Sequence, residues 1–175
     1  FKIVAAVIWP DYIRLTILTV PLWNWLIVVN LNPIKQRVEM KRILVLCTAN
    51  SCRSIMAEAL INHLKGEEYH AMSAGSQPAG YVHPKSIETL RKHGIAPGSP
   101  VSKSLDEFAG QSFDYVITVC DQAADEICPI FYGEYRKLHW STPDPAKVQG
   151  TSAALDAAFD EAFQLLKTCI KKEWV

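Results

Sequence analysis

The sequence predicts an α/β domain: a four-stranded parallel sheet with flanking helices. Three observations lead there. From residue 40 onward, short apolar runs alternate with amphipathic helical stretches, the pattern of parallel strands joined by crossover helices. Glycine and proline fall between these segments, at Gly75, Gly94 and Pro143 among others, where the chain must turn. At 175 residues, the chain is long enough for one core without disulfide staples.

Taken in order, the apolar run Ile43-Leu44-Val45-Leu46 predicts a first, buried strand over 42–47. A helix is expected over 54–65, with Ile55, Ala59, Leu60 and Leu64 on its apolar side. Residues 69–73 make a short second strand, ended by Ala74-Gly75. Residues 84–93 make a helix with Pro84 near its start and Gly94 just past its end, the asymmetry of helix termini. A short helix over 104–109, a buried third strand over 115–119 and a shorter fourth over 137–140 follow. The last element, 153–171, sets Leu155, Phe159, Ala162, Phe163, Leu166 and Ile170 at helical spacing on one face.

Residues 1–39 read differently. They form an N-terminal apolar extension with Pro10, Pro21 and Pro33, before Met40-Lys41-Arg42 opens what reads as the domain proper, 40–175. The uncharged stretch 15–29 is interrupted by Pro21 and Asn24 and falls short of the ~20 apolar residues a spanning helix needs. A secretory signal fits poorly, for the basic start is weak and no small-residue cleavage site follows. A mis-assigned start or fused remnant ranks first for this segment, membrane association second and a true span last.

Eighteen basic residues balance eighteen acidic ones, which gives no reason to expect nucleic acid or an anionic membrane as partner. Five cysteines form an odd set, unlike a secreted disulfide framework, so a reducing, cytoplasmic setting is expected. There is no C-x2-C pair and the histidines are scattered, so neither a metal site nor a cofactor is expected.

The chemistry concentrates in Cys47-Thr48-Ala49-Asn50-Ser51-Cys52-Arg53-Ser54. A strand that ends in a short polar loop and becomes a helix points several backbone N–H groups at one spot, which suits a tetrahedral oxyanion. All seven residues from Thr48 to Ser54 are candidates for that cradle. Arg53 can grip two oxygens with its planar fork, and a helix start plus a cation favours the Cys47 thiolate. The expected chemistry is nucleophilic attack by a Cys47 of depressed pKa. Cysteine and arginine at this spacing arise by chance in many sequences; the strand before them and the helix after them raise the signal. Asn50 and Ser51 are read as orienting the loop or bonding the sulfur, Ser54 as capping the helix or donating to Cys47, and Cys52 as packing within the loop.

In an open parallel sheet, ligands bind beyond the carboxyl ends of the strands, where Cys47, Cys120 and Asp144 all fall. Cys120 and Cys128, eight positions apart, have two readings. One is a core thiol with a partner packed under a loop; the other is a relay in which Cys120 attacks an adduct on Cys47 and Cys128 resolves the result. Asp144, between Pro143 and Pro145, is either a turn-forming residue or a stiffly held acid able to protonate a departing oxygen. Cys169 is expected to face the core, His139 and Trp140 to pack at a strand end, and His83 with Pro84 to start a helix.

These residues resemble the arsenate reductases built on the low-molecular-weight protein tyrosine phosphatase fold. The resemblance rests on Leu46-Cys47-Thr-Ala-Asn-Ser-Cys-Arg-Ser-Ile-Met-Ala-Glu-Ala59, Ser73-Ala-Gly-Ser76, Val116-Ile-Thr-Val-Cys120 with Cys128-Pro129, and His139-Trp140 with Asp144-Pro145-Ala146. It spans Met40 to about Lys172. It implies reduction of arsenate to arsenite, in arsenic detoxification, with phosphate as competing anion. Cys47 would attack arsenate held by the loop and Arg53, with Asp144 assisting loss of oxygen. Cys120 would attack the Cys47 adduct, Cys128 would displace Cys47, and thioredoxin or glutaredoxin would reduce the Cys120–Cys128 disulfide. Ala49 stands where many relatives have glycine. A tyrosine phosphatase, sharing loop, arginine and acid, is the main rival; such enzymes usually carry an aromatic residue where Ala146 stands. A non-catalytic oxyanion-binding module is the third class.

Overall fold

The computed structural model describes residues 8–9, 12–13, 39–120 and 133–174. The chain divides into two compact units, Phe1–Arg37 and Val38–Val175. In the first, β1 (Ile8–Trp9) and β2 (Tyr12–Ile13) pair antiparallel; the apolar stretch 15–29 lies outside the described residues. No helix among the described residues is long and apolar enough to cross a membrane.

The second unit holds β3 (Lys41–Cys47), α1 (Arg53–Lys65), β4 (Tyr69–Gly75), α2 (Pro84–Lys92), β5 (Tyr115–Thr118), β6 (Arg136–His139) and α3 (Ser152–Trp174). Short 3-10 turns occupy Leu105–Phe108 and Pro145–Lys147. The sheet order is β4-β3-β5-β6, with every neighbouring pair parallel. The four expected strands are all present. The chain leaves β3 for β4 on one side and then returns to β5 on the other, so the carboxyl ends of β3 and β5 border the crevice where such sheets bind ligands.

Both faces of β3 are covered, which is why its sequence runs apolar without alternation. Ile43, Val45 and Cys47 join one core cluster with Met56, Leu60 and Ile61 of α1, Leu90 of α2, and Phe159, Phe163 and Leu166 of α3. Leu44 and Leu46 face the other side, against Leu105, Phe108, Phe113 and Val116. The α3 face is as the spacing predicted, with Leu155 only partly buried. The apolar side of α1 needs correction: Leu64 is exposed, while Met56, Ala57 and Ile61 are buried. The first turn of α1 lies under the loop and is buried on all sides, Arg53 and Ser54 included, so a 3.6-residue stripe does not describe it.

Element ends differ in ways that hydrogen bonding explains. β4 runs through Gly75, which pairs with Cys47, two residues beyond the expected end. The expected helix at 104–109 is a single 3-10 turn whose Ser104 and Glu107 form a capping box. His83 does start α2, its Nδ1 accepting from the Lys85 N–H at 3.2 Å, and Gly94 lies just beyond with φ +74°.

Candidate active site

Register brings the site together. Leu46 pairs with Thr118 and the Val119 N–H donates to the Leu46 carbonyl at 2.9 Å. Cys120 is thereby carried up beside the loop that follows Cys47. The Thr48 hydroxyl meets the Cys120 sulfur at 3.7 Å, and Cys120 is buried.

The loop owes its shape to the segment after β4. N–H groups of Ser76, Gln77, Ala79 and His83 donate to the carbonyls of Cys47, Thr48, Ala49 and Ser51, at 3.2, 2.9, 2.9 and 3.0 Å. The Cys52 carbonyl accepts from Met56 N–H in the first turn of α1. A trans peptide holds each carbonyl antiparallel to the N–H that follows it. Turning these five carbonyls outward therefore turns the N–H groups of Thr48, Ala49, Asn50, Cys52 and Arg53 inward. One of them is already used, for Asn50 N–H donates to the Cys47 sulfur at 3.1 Å. Asn50 itself sits at φ +46°, a conformation asparagine tolerates better than most residues.

Gly75 permits this close approach. A β-carbon there would stand 2.5 Å from the Thr48 carbonyl oxygen and 3.0 Å from the Asn50 backbone nitrogen.

The Cys47 sulfur also meets the Ser54 hydroxyl at 2.9 Å. Ser54 does not cap the helix; the N-cap is Cys52, without a side-chain bond. Cys52 packs in the main core cluster. Arg53 is 9 % exposed, and its Nη2 donates to Asp144 Oδ2 at 2.8 Å while Nη1 donates to the Thr142 carbonyl at 3.1 Å. Its Nε is buried without a partner. Asp144 also accepts from the Ala146 N–H at 3.1 Å through Oδ1, so it is at once a turn residue and the ion-pair partner of Arg53. Ser51 lies on the outer side, its carbonyl also taken by the Ser86 hydroxyl. Cys128 lies outside the described residues, as does the polar segment 121–132 around it. Among the described residues no cluster suited to a metal ion occurs.

The expectation of a depressed Cys47 pKa is corrected here. Burial pushes this thiol above its ordinary value, outweighing the bonds from the Ser54 hydroxyl, the Asn50 N–H and the Ser54 N–H that pull it down. Arg53 was expected to stand beside the sulfur, but its charge is spent on Asp144. A raised pKa means less thiolate than a free cysteine carries at neutral pH. Alkylation of Cys47 by iodoacetamide, followed by peptide mass mapping, is accordingly expected to be slow at pH 7 and to climb through and beyond pH ~8.5, the ordinary thiol value. A rate already at plateau by pH 7 would contradict it.

Comparison with known proteins fits this geometry. Residues 42–173 match the family model described as low molecular weight phosphotyrosine protein phosphatase. The chain belongs to that family. Among its relatives, the arsenate reductase of Halalkalibacterium halodurans is 37 % identical over 132 residues, covering 73 % of this chain and 94 % of that protein. The solved arsenate reductase of Archaeoglobus fulgidus aligns with a TM-score of 0.57 at 25 % identity, over 74 % of this chain and 98 % of that one. A thioredoxin-dependent arsenate reductase of Corynebacterium glutamicum aligns at 0.52 and 25 % identity, over 77 % of this chain and 63 % of that one.

Sequence reasoning missed the outward side of the site: the strap 76–83, Glu58 and Lys103. Ser73 and Gly75 were legible as a motif, but only the structure gives them partners, Ser73 bonding Asn50 Nδ2 at 2.9 Å.

Proposed function

We infer that this protein reduces arsenate to arsenite. The observation that carries the reading is the second thiol: Cys120 lies beside the anion loop of Cys47, a feature phosphoester hydrolysis does not need, in a chain 37 % identical to an arsenate reductase over 132 residues.

We propose that the domain proper is 40–175 and that arsenate is held by the inward N–H groups from Thr48 to Ser54 and by Arg53. The Cys47 sulfur attacks arsenic(V) as its thiol proton passes to the Asp144 carboxylate; Asp144 hands that proton to one arsenate oxygen, which leaves as water, and a sulfur–arsenic bond forms. Cys120 as thiolate then attacks the Cys47 sulfur. The electron pair of the sulfur–arsenic bond passes to arsenic, which departs as arsenite(III), and a Cys47–Cys120 disulfide remains. Cys128 attacks Cys120, freeing Cys47, and the Cys120–Cys128 disulfide is reduced by an external dithiol. A thioredoxin-type reductant is favoured by the thioredoxin-dependent relative over glutaredoxin, and a reducing compartment such as the cytoplasm suits all these thiols. Phosphate, of the same shape and charge, competes for the loop.

The test is arsenite production with thioredoxin, its reductase and NADPH, against hydrolysis of an aryl phosphate. Wild type is expected to form arsenite, and Cys120→Ser to lose steady-state turnover by about three orders of magnitude or more, as loss of a covalent relay member does. Fast aryl phosphate hydrolysis in both, with no arsenite from either, would make the chain a phosphatase instead.

A further inference from the structure

His83 stands where the strap behind the anion loop becomes α2, and it serves both. Its backbone N–H donates to the Ser51 carbonyl at 3.0 Å, and the Ser86 hydroxyl donates to the same oxygen at 3.2 Å. On the helix side, Pro84 brings no N–H, so the first backbone donors of α2 are those of Lys85 and Ser86. Both close on His83, the Lys85 N–H on Nδ1 at 3.2 Å and the Ser86 N–H on the carbonyl at 3.0 Å. The ring is stacked on Phe159 of α3, with centroids 4.9 Å apart and planes 27° from parallel, so its seat is fixed.

The proton state of that ring follows from the bond. A backbone N–H can only donate, so Nδ1 must offer a lone pair and the neutral ring carries its hydrogen on Nε2. Asparagine or serine would cap the helix at any ordinary pH; histidine is the side chain that changes charge between about pH 8 and pH 5. A proton on Nδ1 sets two donors against each other and puts a cation at the positive end of the helix dipole. It also faces Lys85, whose Nζ is already shared between Asp156 at 2.7 Å and Glu88 at 2.8 Å. The ring must then turn away, and it belongs to the residue whose N–H holds Ser51.

We propose that His83 is a positioning residue for the anion loop: its neutral imidazole caps α2 and so keeps the strap bonded to the Ser51 carbonyl, and protonation of the ring loosens the cradle. The proposal rests on the reading of residues 48–54 as the seat of the oxyanion. With the Ser51 carbonyl turned outward by this bond, the Cys52 N–H that follows it is turned inward, so slack at the one misaims the other. The sign is opposite to that of charge attraction, for a cation beside the loop would draw an anion in. The charged and titratable groups around the ring are Lys85 and Glu88 of α2 and Asp156 of α3, Tyr81 in the strap, and Cys52 and Asp144 toward the loop. Lys92, His93 and Asp160 form the next set of pairs along the two helices. The variants below keep them all.

The test measures phosphate dissociation constants by titration calorimetry at about pH 8 and about pH 5.5, across the histidine range, in wild type, His83→Asn and His83→Ala. Asparagine keeps an acceptor for the Lys85 N–H that never charges; alanine keeps none. Both lose the stacking on Phe159, so the difference between them isolates the cap. Phosphate's own titration is common to all three proteins and cancels in ratios. Between the two pH values, wild type is expected to lose about three- to tenfold in affinity relative to His83→Asn, the worth of one helix cap. His83→Ala is expected to bind more weakly than His83→Asn by a similar factor at both pH values. A ratio of wild type to His83→Asn that is flat with pH, or that moves in favour of wild type in acid, overturns the proposal. Should His83→Ala not fold, wild type against His83→Asn still decides it. Phosphate binding with a flat ratio defeats this proposal alone, whereas no binding by wild type at either pH defeats the cradle and the proposal with it.

Discussion

Gly75→Ala is expected to lower kcat/KM for arsenate by about two orders of magnitude or more, the usual cost of moving a reacting group by an ångström. The added carbon would meet backbone, not a side chain that can swing away: the Thr48 carbonyl oxygen at 2.5 Å and the Asn50 backbone nitrogen at 3.0 Å. Relief requires β4 and the loop to part. That loosens the Ser76 and Gln77 bonds to the Cys47 and Thr48 carbonyls, and with them the inward aim of the amides. The stability cost should be that of ordinary overpacking, about 1–3 kcal/mol, so the protein folds but binds the anion poorly. Gly98→Ala is the control. It sits at φ +65° with nothing within 4 Å of a β-carbon, and pays only the left-handed backbone penalty of about 1 kcal/mol. Full arsenate turnover in Gly75→Ala would show that the loop does not depend on this contact.

The contrast between Gly75 and Cys47 shows what could be read ahead of the structure. The nucleophile loop was legible because an unbroken apolar run, a polar loop and a helix follow one another in sequence, and local order fixes where the carboxyl end of β3 lies. Asp144 and Cys120 were placed near it by the general behaviour of parallel sheets. What could not be read was pairing across the chain. Nothing local tells that the N–H groups of residues 76–83 serve the carbonyls of residues 47–51, that Glu58 on α1 meets Ser73 on β4, or that Arg53 spends its fork on Asp144. The thiol's acidity failed for the same reason. A cation and a helix start were visible in the sequence; the burial that outweighs them comes from the core cluster that Cys47 joins with residues distant in the chain.

Arg53 and Asp144 give the sharpest separation of binding from thiol acidity. Because they form a pair at 2.8 Å, their charges nearly cancel at the sulfur, and the groups acting on Cys47 are its burial, Ser54, Asn50 and Cys120. Arg53→Ala leaves the Asp144 carboxylate uncompensated near the sulfur and is therefore expected to slow alkylation of Cys47 modestly near neutral pH. The same variant should cost arsenate turnover 2–5 kcal/mol, roughly 30- to 4,000-fold, because it removes the anion's fork and strands a partly buried carboxylate. Arg53→Lys keeps the charge but not the geometry, since one ammonium cannot hold Thr142 and Asp144 and still face an oxyanion; it should fall well short of rescue. Asp144→Asn separates the two effects in opposite directions. It leaves the guanidinium uncompensated near the sulfur, so alkylation should quicken, while loss of the proton donor should slow arsenate reduction by about 10²–10⁴-fold. Parallel stopped-time alkylation and arsenite assays on the three variants measure both quantities. If Asp144→Asn slowed alkylation and turnover together, the pair would be acting on the nucleophile itself rather than on the anion it attacks.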